Sequence, residues 1–151
     1  MTGHTDPLGI TLDLWRAASI TGRRVDRPLG GVHGLSLVDL AILVALMNAE
    51  GGRLRRVDLA ERLGMSQSSI TRLLAPLEKL GIVRRISDPR DRRAALSELT
   101  AAGRELATNA QTTAHQSAQD LFADWTDEQR AAFADALSRL TAGVAPLIAR
   151  T

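Results

Sequence analysis

The strongest constraint on the fold is a pair of short helical patterns separated by a glycine turn. The first covers residues 57–63 and the second 67–80, with Gly64 between them and Ser66 placed to cap the second helix. This spacing is typical of a helix-turn-helix unit. The N-terminal half of the second helix carries side chains that a core does not require. These polar or cationic residues are Gln67, Ser68, Ser69, Thr71 and Arg72.

An arginine-rich hairpin is predicted directly after the helix pair. Residues 82–86 have a strand pattern, residues 87–91 have turn chemistry, and the return strand is placed at 94–99. The arginines of this segment are Arg84, Arg85, Arg90, Arg92 and Arg93. The pattern indicates a winged unit whose wing is cationic.

Helical patterns flank the winged unit on both sides. A first helix is predicted over 8–27, ended by the sequence of residues 28–31, and a second follows the cap at Ser36. After the cap at Thr100, a long helix is predicted over 101–124. The last helix begins at a capping box, and its apolar spacing continues to residue 147 or 148.

The outer helices carry more apolar residues than a small winged domain can bury, so pairing with a second copy is expected. We therefore predict a mainly α fold of the α+β winged-helix kind, with three parts. Residues 1–35 form an N-terminal dimerisation helix, 36–99 the winged helix-turn-helix domain, and 100–151 the C-terminal dimerisation helices.

Composition narrows the class of protein. The absence of cysteine excludes disulfide scaffolds and thiolate zinc sites. No apolar run approaches the ~20 residues needed to cross a membrane, and the N-terminus lacks a signal-peptide pattern. We expect a cytoplasmic protein without a membrane partner.

Charge is unevenly distributed along the chain. The net charge is +2, yet residues 53–93 carry +6 and the remainder −4. A basic middle between acidic ends favours a polyanion as partner, although an arginine-rich solvated surface gives the same composition.

Several segments together resemble the MarR family of bacterial transcriptional regulators. They are the sequence of residues 59–64, the second helix of the pair, the Asp-x-Arg-Asp-x-Arg wing at 88–93, and Leu-Thr-x-x-Gly at 99–103. The resemblance covers nearly the whole chain, and the wing with the following Leu-Thr-x-x-Gly is its most specific part. It implies a homodimer that binds pseudo-palindromic operators on double-stranded DNA and often responds to small ligands. Pro76, inside the second helix, departs from the pattern.

Roles for the DNA-binding candidates follow from groove chemistry. Glutamine binds adenine and arginine binds guanine in the major groove, and hydroxyl groups reach bases or phosphates. Ser68 and Ser69 also fit an ordinary solvated surface, and Ser66 combines capping with a phosphate contact. By resemblance, Arg90 is the tip that enters the minor groove. Asp91 is expected to orient a neighbouring arginine, and Arg93 is either such a support or a DNA contact. Of Arg84 and Arg85, which straddle a strand, one is expected to face DNA.

The leading hypothesis is a dimeric DNA-binding regulator, a repressor released by a small apolar or aromatic anionic effector. The effector is implied by the resemblance alone. The alternative is a winged-helix protein-interaction module that does not bind DNA. No residue constellation supports an enzyme, a cofactor or a metal site, since His4, His33 and His115 lack metal-ligand spacing. His33 is predicted to lie in a loop, near the expected ligand cleft.

Overall fold

The computed structural model describes residues 6–148, and for Arg92 and Arg93 it describes the backbone alone. Within that range the chain forms six α-helices, three strands and a single 3-10 turn at Glu50–Gly52. The helices are α1 Pro7–His33, α2 Leu37–Met47, α3 Arg56–Leu63, α4 Gln67–Lys79, α5 Ala101–Leu121 and α6 Asp127–Leu140. The strands are β1 Arg53–Arg55, β2 Val83–Asp88 and β3 Asp91–Leu99.

Helix α2 lies at the centre of the core. It begins at the predicted cap, Ser36. The Ser36 hydroxyl accepts a hydrogen bond from Asp39 N and the Asp39 carboxylate accepts one from Ser36 N, which makes a capping box. Its residues from Ile42 to Leu46 are all buried. Because it is apolar on several faces, α2 packs against α1, α3, α5 and the sheet at once.

The predicted end of α1 is wrong. The helix continues through Pro28 to His33 and stops at Gly34, which adopts the left-handed conformation at φ 67°. An internal proline costs ~3 kcal/mol of helix stability. That cost is offset by burial of Val25 and Leu29 in the core, where Leu29 has no exposed surface. Tertiary packing therefore overrides the local stop signal.

The wing is an antiparallel hairpin in a three-stranded sheet of order β1-β3-β2. Val83 pairs with Leu99 at its base, and both side chains are buried. The strands extend to Asp88 and Asp91, so the turn at the tip is formed by Pro89 and Arg90. The wing is therefore longer and its turn tighter than the sequence predicted.

Helix α5 joins the winged unit to the C-terminal part of the chain. Thr100 caps it, its hydroxyl accepting a hydrogen bond from Gly103 N at 3.0 Å, while Thr100 N donates to Ile82 O at 3.1 Å. A Cβ atom at Gly103 would lie 2.1 Å from the Ile82 carbonyl oxygen. Glycine is thus the only residue that permits this close packing of α5 against Ile82, in the connection between α4 and β2.

The last helix is shorter than predicted. Its capping box at Thr126 and Gln129 is confirmed, but α6 ends at Leu140. Gly143, at φ 91°, and Pro146 follow within six residues and are incompatible with a continued helix. The chain then returns to the winged unit, where Asn48 Nδ2 donates a hydrogen bond to Leu147 O at 2.8 Å.

His33 is the last residue of α1 rather than part of a loop, and its Nε2 lies 2.8 Å from Thr113 Oγ1 on α5. His4 lies outside the described residues. Between residues 6 and 148 no single helix is long and apolar enough to span a membrane, although α1 and α2 taken together, bent by 77°, satisfy that test by length and composition.

Candidate DNA-binding surface

Helix α4 presents its polar residues on the side opposite the core. Ile70, Leu74 and Leu77 are buried and hold one face of the helix in place. The side chains on the outer side, toward the N-terminus, include most of the predicted base-reading residues. Gln67, Ser68, Thr71 and Arg72 are exposed, and Ser69 is half-buried. The chain continues as helix through Pro76 to Lys79.

Two of the hydroxyl groups predicted to contact DNA, those of Ser66 and Ser69, form a hydrogen bond with each other at the N-terminus of α4. The Ser66 hydroxyl accepts a hydrogen bond from Ser69 N at 3.1 Å and donates to Ser69 Oγ at 2.9 Å. Arg72 Nη2 also donates to Ser69 Oγ, at 3.4 Å. Among the described residues, Gln67 and Ser68 form no side-chain hydrogen bond. Gln67, Ser68 and the remaining donors of Arg72 are therefore available for a ligand.

The wing is held by a buried carboxylate that the sequence analysis did not single out. Asp88 Oδ2 accepts hydrogen bonds from Arg55 Nε at 2.9 Å and Arg55 Nη2 at 2.6 Å. Its Oδ1 accepts one from the backbone N–H of Arg90 at 2.9 Å. With only 5% of Asp88 exposed, these contacts fix the backbone of the wing tip to β1.

Two adjacent arginines hold the two elements: Arg55 binds the wing and Arg56 binds α4. Arg55 binds the wing through Asp88, while Arg56 Nη2 donates to Glu78 Oε1 on α4 at 2.7 Å. Arg56 Nη1 also lies 3.4 Å from Thr71 Oγ1. The two elements predicted to contact DNA are thus positioned by adjacent residues. Arg55 was not among the predicted site residues, and no local signal indicates its role because its partner, Asp88, is 33 residues away.

The other predicted wing residues have different surroundings. Arg90 is exposed at the turn. Arg84 forms an ion pair across the sheet with Glu98, its register partner, and 66% of the Arg84 side chain is exposed. Arg85 is exposed on the same strand. The side chains of Arg92 and Arg93 lie outside the described part of the structure.

The Asp88 contacts also change its acidity. The hydrogen bond from Arg90 N, followed by the one from Arg55, lowers the pKa of the Asp88 carboxyl. The hydrogen bond to Asp88 raises the pKa of Arg55 in turn. Both shifts indicate that the ionised pair is favoured in the folded protein.

We expect the stabilisation from Asp88 to be present at neutral pH and lost in acid. Because folding lowers its pKa, the contribution is complete above the ordinary aspartate pKa of ~3.9 and disappears as pH falls through the lower folded-state value. Asp88→Asn should therefore reduce the urea midpoint at pH 7, with a difference from wild type that shrinks as pH falls below the ordinary aspartate pKa of ~3.9. Asp13→Asn, in an exposed pair with Arg16, is the control and should change little. A deficit of Asp88→Asn that is independent of pH would contradict this role.

Comparison with known proteins agrees with the winged-helix fold. The profile of the MarR family matches residues 33–94. The uncharacterized HTH-type transcriptional regulator YdgJ of Bacillus subtilis (strain 168) is 29% identical over 107 residues, or 71% of this chain and 64% of that relative. The aligned part thus spans just under two thirds of the relative's length.

Two crystal structures show the similarity at the level of the backbone. Sco3205, a MarR family transcriptional regulator from Streptomyces coelicolor in complex with DNA, is 27% identical with a TM-score of 0.80, covering 91% of this chain and 86% of that one. CouR from Rhodococcus jostii RHA1 bound to p-coumaroyl-CoA is 26% identical with a TM-score of 0.78, covering 96% and 99%. The predicted winged-helix fold is confirmed.

Proposed function

We propose that this chain is a member of the MarR family of transcriptional regulators, that it binds operators on double-stranded DNA as a homodimer and that it represses the adjacent genes. The observation that carries the proposal is the joint placement of α4 and the wing. Helix α4, whose N-terminal half is polar and exposed, is bound by Arg56 through Glu78. The wing, which carries exposed Arg90 at its tip, is bound by the adjacent Arg55 through Asp88. Such a surface is suited to two adjacent grooves of one duplex.

In this proposal α4 lies in the major groove with its N-terminal half against the bases. Gln67 has both the donor and the acceptor that bind adenine, and Arg72 has the pair of donors that binds guanine. Ser68 and Thr71 contribute base or phosphate contacts, whereas Ser66 and Ser69 act through the helix start that they stabilise. Arg90 enters the neighbouring minor groove, where the negative potential favours a guanidinium, and Arg92, Arg93 and Arg84 contact the phosphates beside it.

The second copy is proposed to pack on the terminal helices. Large apolar side chains remain exposed on one stripe of α1, namely Leu8, Leu12 and Trp15, at 66%, 56% and 70%. On α6, the exposed apolar side chains include Phe133, Leu137 and Leu140. Water-exposed stripes on both terminal helices are the surface expected of an isologous dimer interface. The dimer sets the distance between the two α4 helices.

We propose that a small apolar or aromatic anion releases the protein from DNA. The relative CouR was crystallised with p-coumaroyl-CoA. In this chain a cavity of about 350 Å³ lies between α1 and α5, lined by Arg24, Pro28, Ser117, Asp120 and Leu121. A ligand there would move the dimerisation helices relative to the winged unit and so change the spacing of the α4 helices.

Two substitutions test the assigned roles on a duplex selected from genomic DNA. Arg90→Ala should weaken binding to all sequences and reduce the salt slope, because it removes a contact that does not read bases. Arg72→Ala should instead relax the preference at one base pair by about 1–3 kcal/mol. Binding measured by fluorescence anisotropy across single-base variants separates the two effects. Arg23→Ala, an exposed arginine of α1, is the control.

If Arg90→Ala binds DNA with unchanged affinity, the wing tip does not contribute to the DNA interface. Uniform weakening by Arg72→Ala would make Arg72 a phosphate contact. A wild-type protein that binds every duplex weakly, and with little dependence on salt, would favour the alternative of a protein-interaction module.

A further inference from the structure

A second cavity adjoins the wing turn, and none of the described residues that line it belongs to α4. It has a volume of about 710 Å³ and is bounded by the wing turn, by β1 and by one face of α3. From α3 it is lined by Asp58 and Arg62, which are four residues apart and so share a helix face. From the wing it is lined by Arg90 and from β1 by Arg53. We call this cavity the wing cleft.

The wing cleft has a surplus of uncommitted positive charge. Of its four arginines, Arg55 is bound to Asp88. Within residues 6–148, no hydrogen bond or ion pair engages the guanidinium groups of Arg53, Arg62 or Arg90. Two further carboxylates line the cleft, those of Glu50 and Asp58. Four guanidinium groups against three carboxylates, those of Glu50, Asp58 and Asp88, give the cleft lining a net positive charge.

Guanidinium groups from three separate elements favour a compact anion with several oxygens. Each guanidinium presents a planar fork of N–H donors that matches phosphate or carboxylate oxygens. A phosphate group accepts such forks from several directions, whereas a carboxylate presents two oxygens in one plane. Most of the lining residues are charged, and the apolar ones are Leu54, Leu96 and Pro89.

We propose that the wing cleft is a phosphate-binding site. The phosphate belongs either to the DNA backbone beside the wing or to a free phosphorylated small molecule. The first source rests on the proposed DNA-binding function and the second does not. In both cases Arg62 anchors the phosphate from α3, and with a free ligand Arg90 also closes the cleft from the wing. A free ligand would therefore compete with the minor-groove contact of Arg90 and weaken DNA binding.

The experiment compares the full-length wild-type chain with Arg62→Gln, and uses Arg23→Gln as a matched control on α1. The first arm measures affinity for a duplex of arbitrary sequence over a range of salt concentrations. The second arm titrates inorganic phosphate in the absence of DNA by calorimetry, against chloride at equal ionic strength. Arg53→Gln provides a second variant from another wall, and thermal midpoints verify that each variant is folded.

If the phosphate is that of DNA, Arg62→Gln should reduce the salt slope by about 0.9, the value for one phosphate contact, while Arg23→Gln leaves it unchanged. If the phosphate is free, wild type should bind inorganic phosphate and Arg62→Gln should lose that binding at least tenfold. The proposal is overturned if Arg62→Gln and Arg53→Gln match wild type in both arms. A wild type that binds no duplex refutes the proposed function alone, because the titration with inorganic phosphate still tests whether the wing cleft binds phosphate.

Discussion

Gly103→Ala is expected to lower the thermal unfolding midpoint by about 6–12 °C. The new Cβ would lie 2.1 Å from the Ile82 carbonyl oxygen and 2.8 Å from Leu99 Cδ1. The first neighbour is backbone, so the N-terminus of α5 must move away from the connection between α4 and β2. That movement also weakens the Thr100 hydrogen bonds to Gly103 N and Ile82 O. We expect overpacking and lost bonds to cost ~3 kcal/mol together, which in a protein of this size corresponds to that shift.

Gly22→Ala is the matched control, since it makes the same chemical change within α1. Nothing lies within 4 Å of a Cβ at Gly22, and alanine favours a helix over glycine by ~1 kcal/mol. Its unfolding midpoint, measured by circular dichroism, should therefore rise by a few degrees. If Gly103→Ala is as stable as wild type, the close contact between α5 and Ile82 is wrong.

Leu12→Gln is expected to dissociate the proposed dimer. The substitution occurs twice in a symmetric dimer and places two amide groups in an apolar interface. Loss of apolar burial and the unpaired amides together should cost at least ~4 kcal/mol, or about a thousandfold in the dimer dissociation constant. Sedimentation should then show a species near the chain mass of 16.2 kDa, and operator affinity should fall in parallel.

Leu80→Gln is the control for this effect. Leu80 is also a highly exposed leucine, at 73%, but it caps the C-terminal end of α4 rather than lying on a terminal helix. The variant should remain dimeric and retain operator binding. A monomeric wild type, or a Leu12→Gln variant that stays dimeric, would place the interface elsewhere.

The parts of the fold that depend on local chemistry could be predicted from the sequence. The caps at Ser36, Ser66, Thr100 and Thr126 all form, because an N-cap is determined by a few adjacent residues. The glycine turn at Gly64 is confirmed for the same reason.

Predictions failed where distant residues decide the outcome. The stop signal at residues 28–31 is overridden by the burial of Val25 and Leu29. Val57 has the apolar side chain of an inward-facing position, but it is 46% exposed because Leu59 and Ala60 occupy the buried face of α3.

The candidate DNA-binding surface likewise has features that local sequence determines and contacts that distant residues determine. The exposed residues of α4 follow from helical periodicity, so their placement could be predicted. The contact between Arg55 and Asp88 depends on strand register and joins residues 33 apart, and the pairing of Arg84 with Glu98 depends on the same register. Sequence alone therefore indicated which residues form the wing, but not which ones hold it in position.

Footprinting on a duplex selected from genomic DNA by the full chain tests the central proposal most directly. Two copies of α4 held by one dimer should protect two related half-sites whose centres lie about one helical turn, or ~10 base pairs, apart. Protection should be lost as salt is raised, since phosphate contacts release counterions. A single protected half-site, or binding that is insensitive to salt, would contradict the proposal of a dimeric regulator that reads DNA with α4 and the wing.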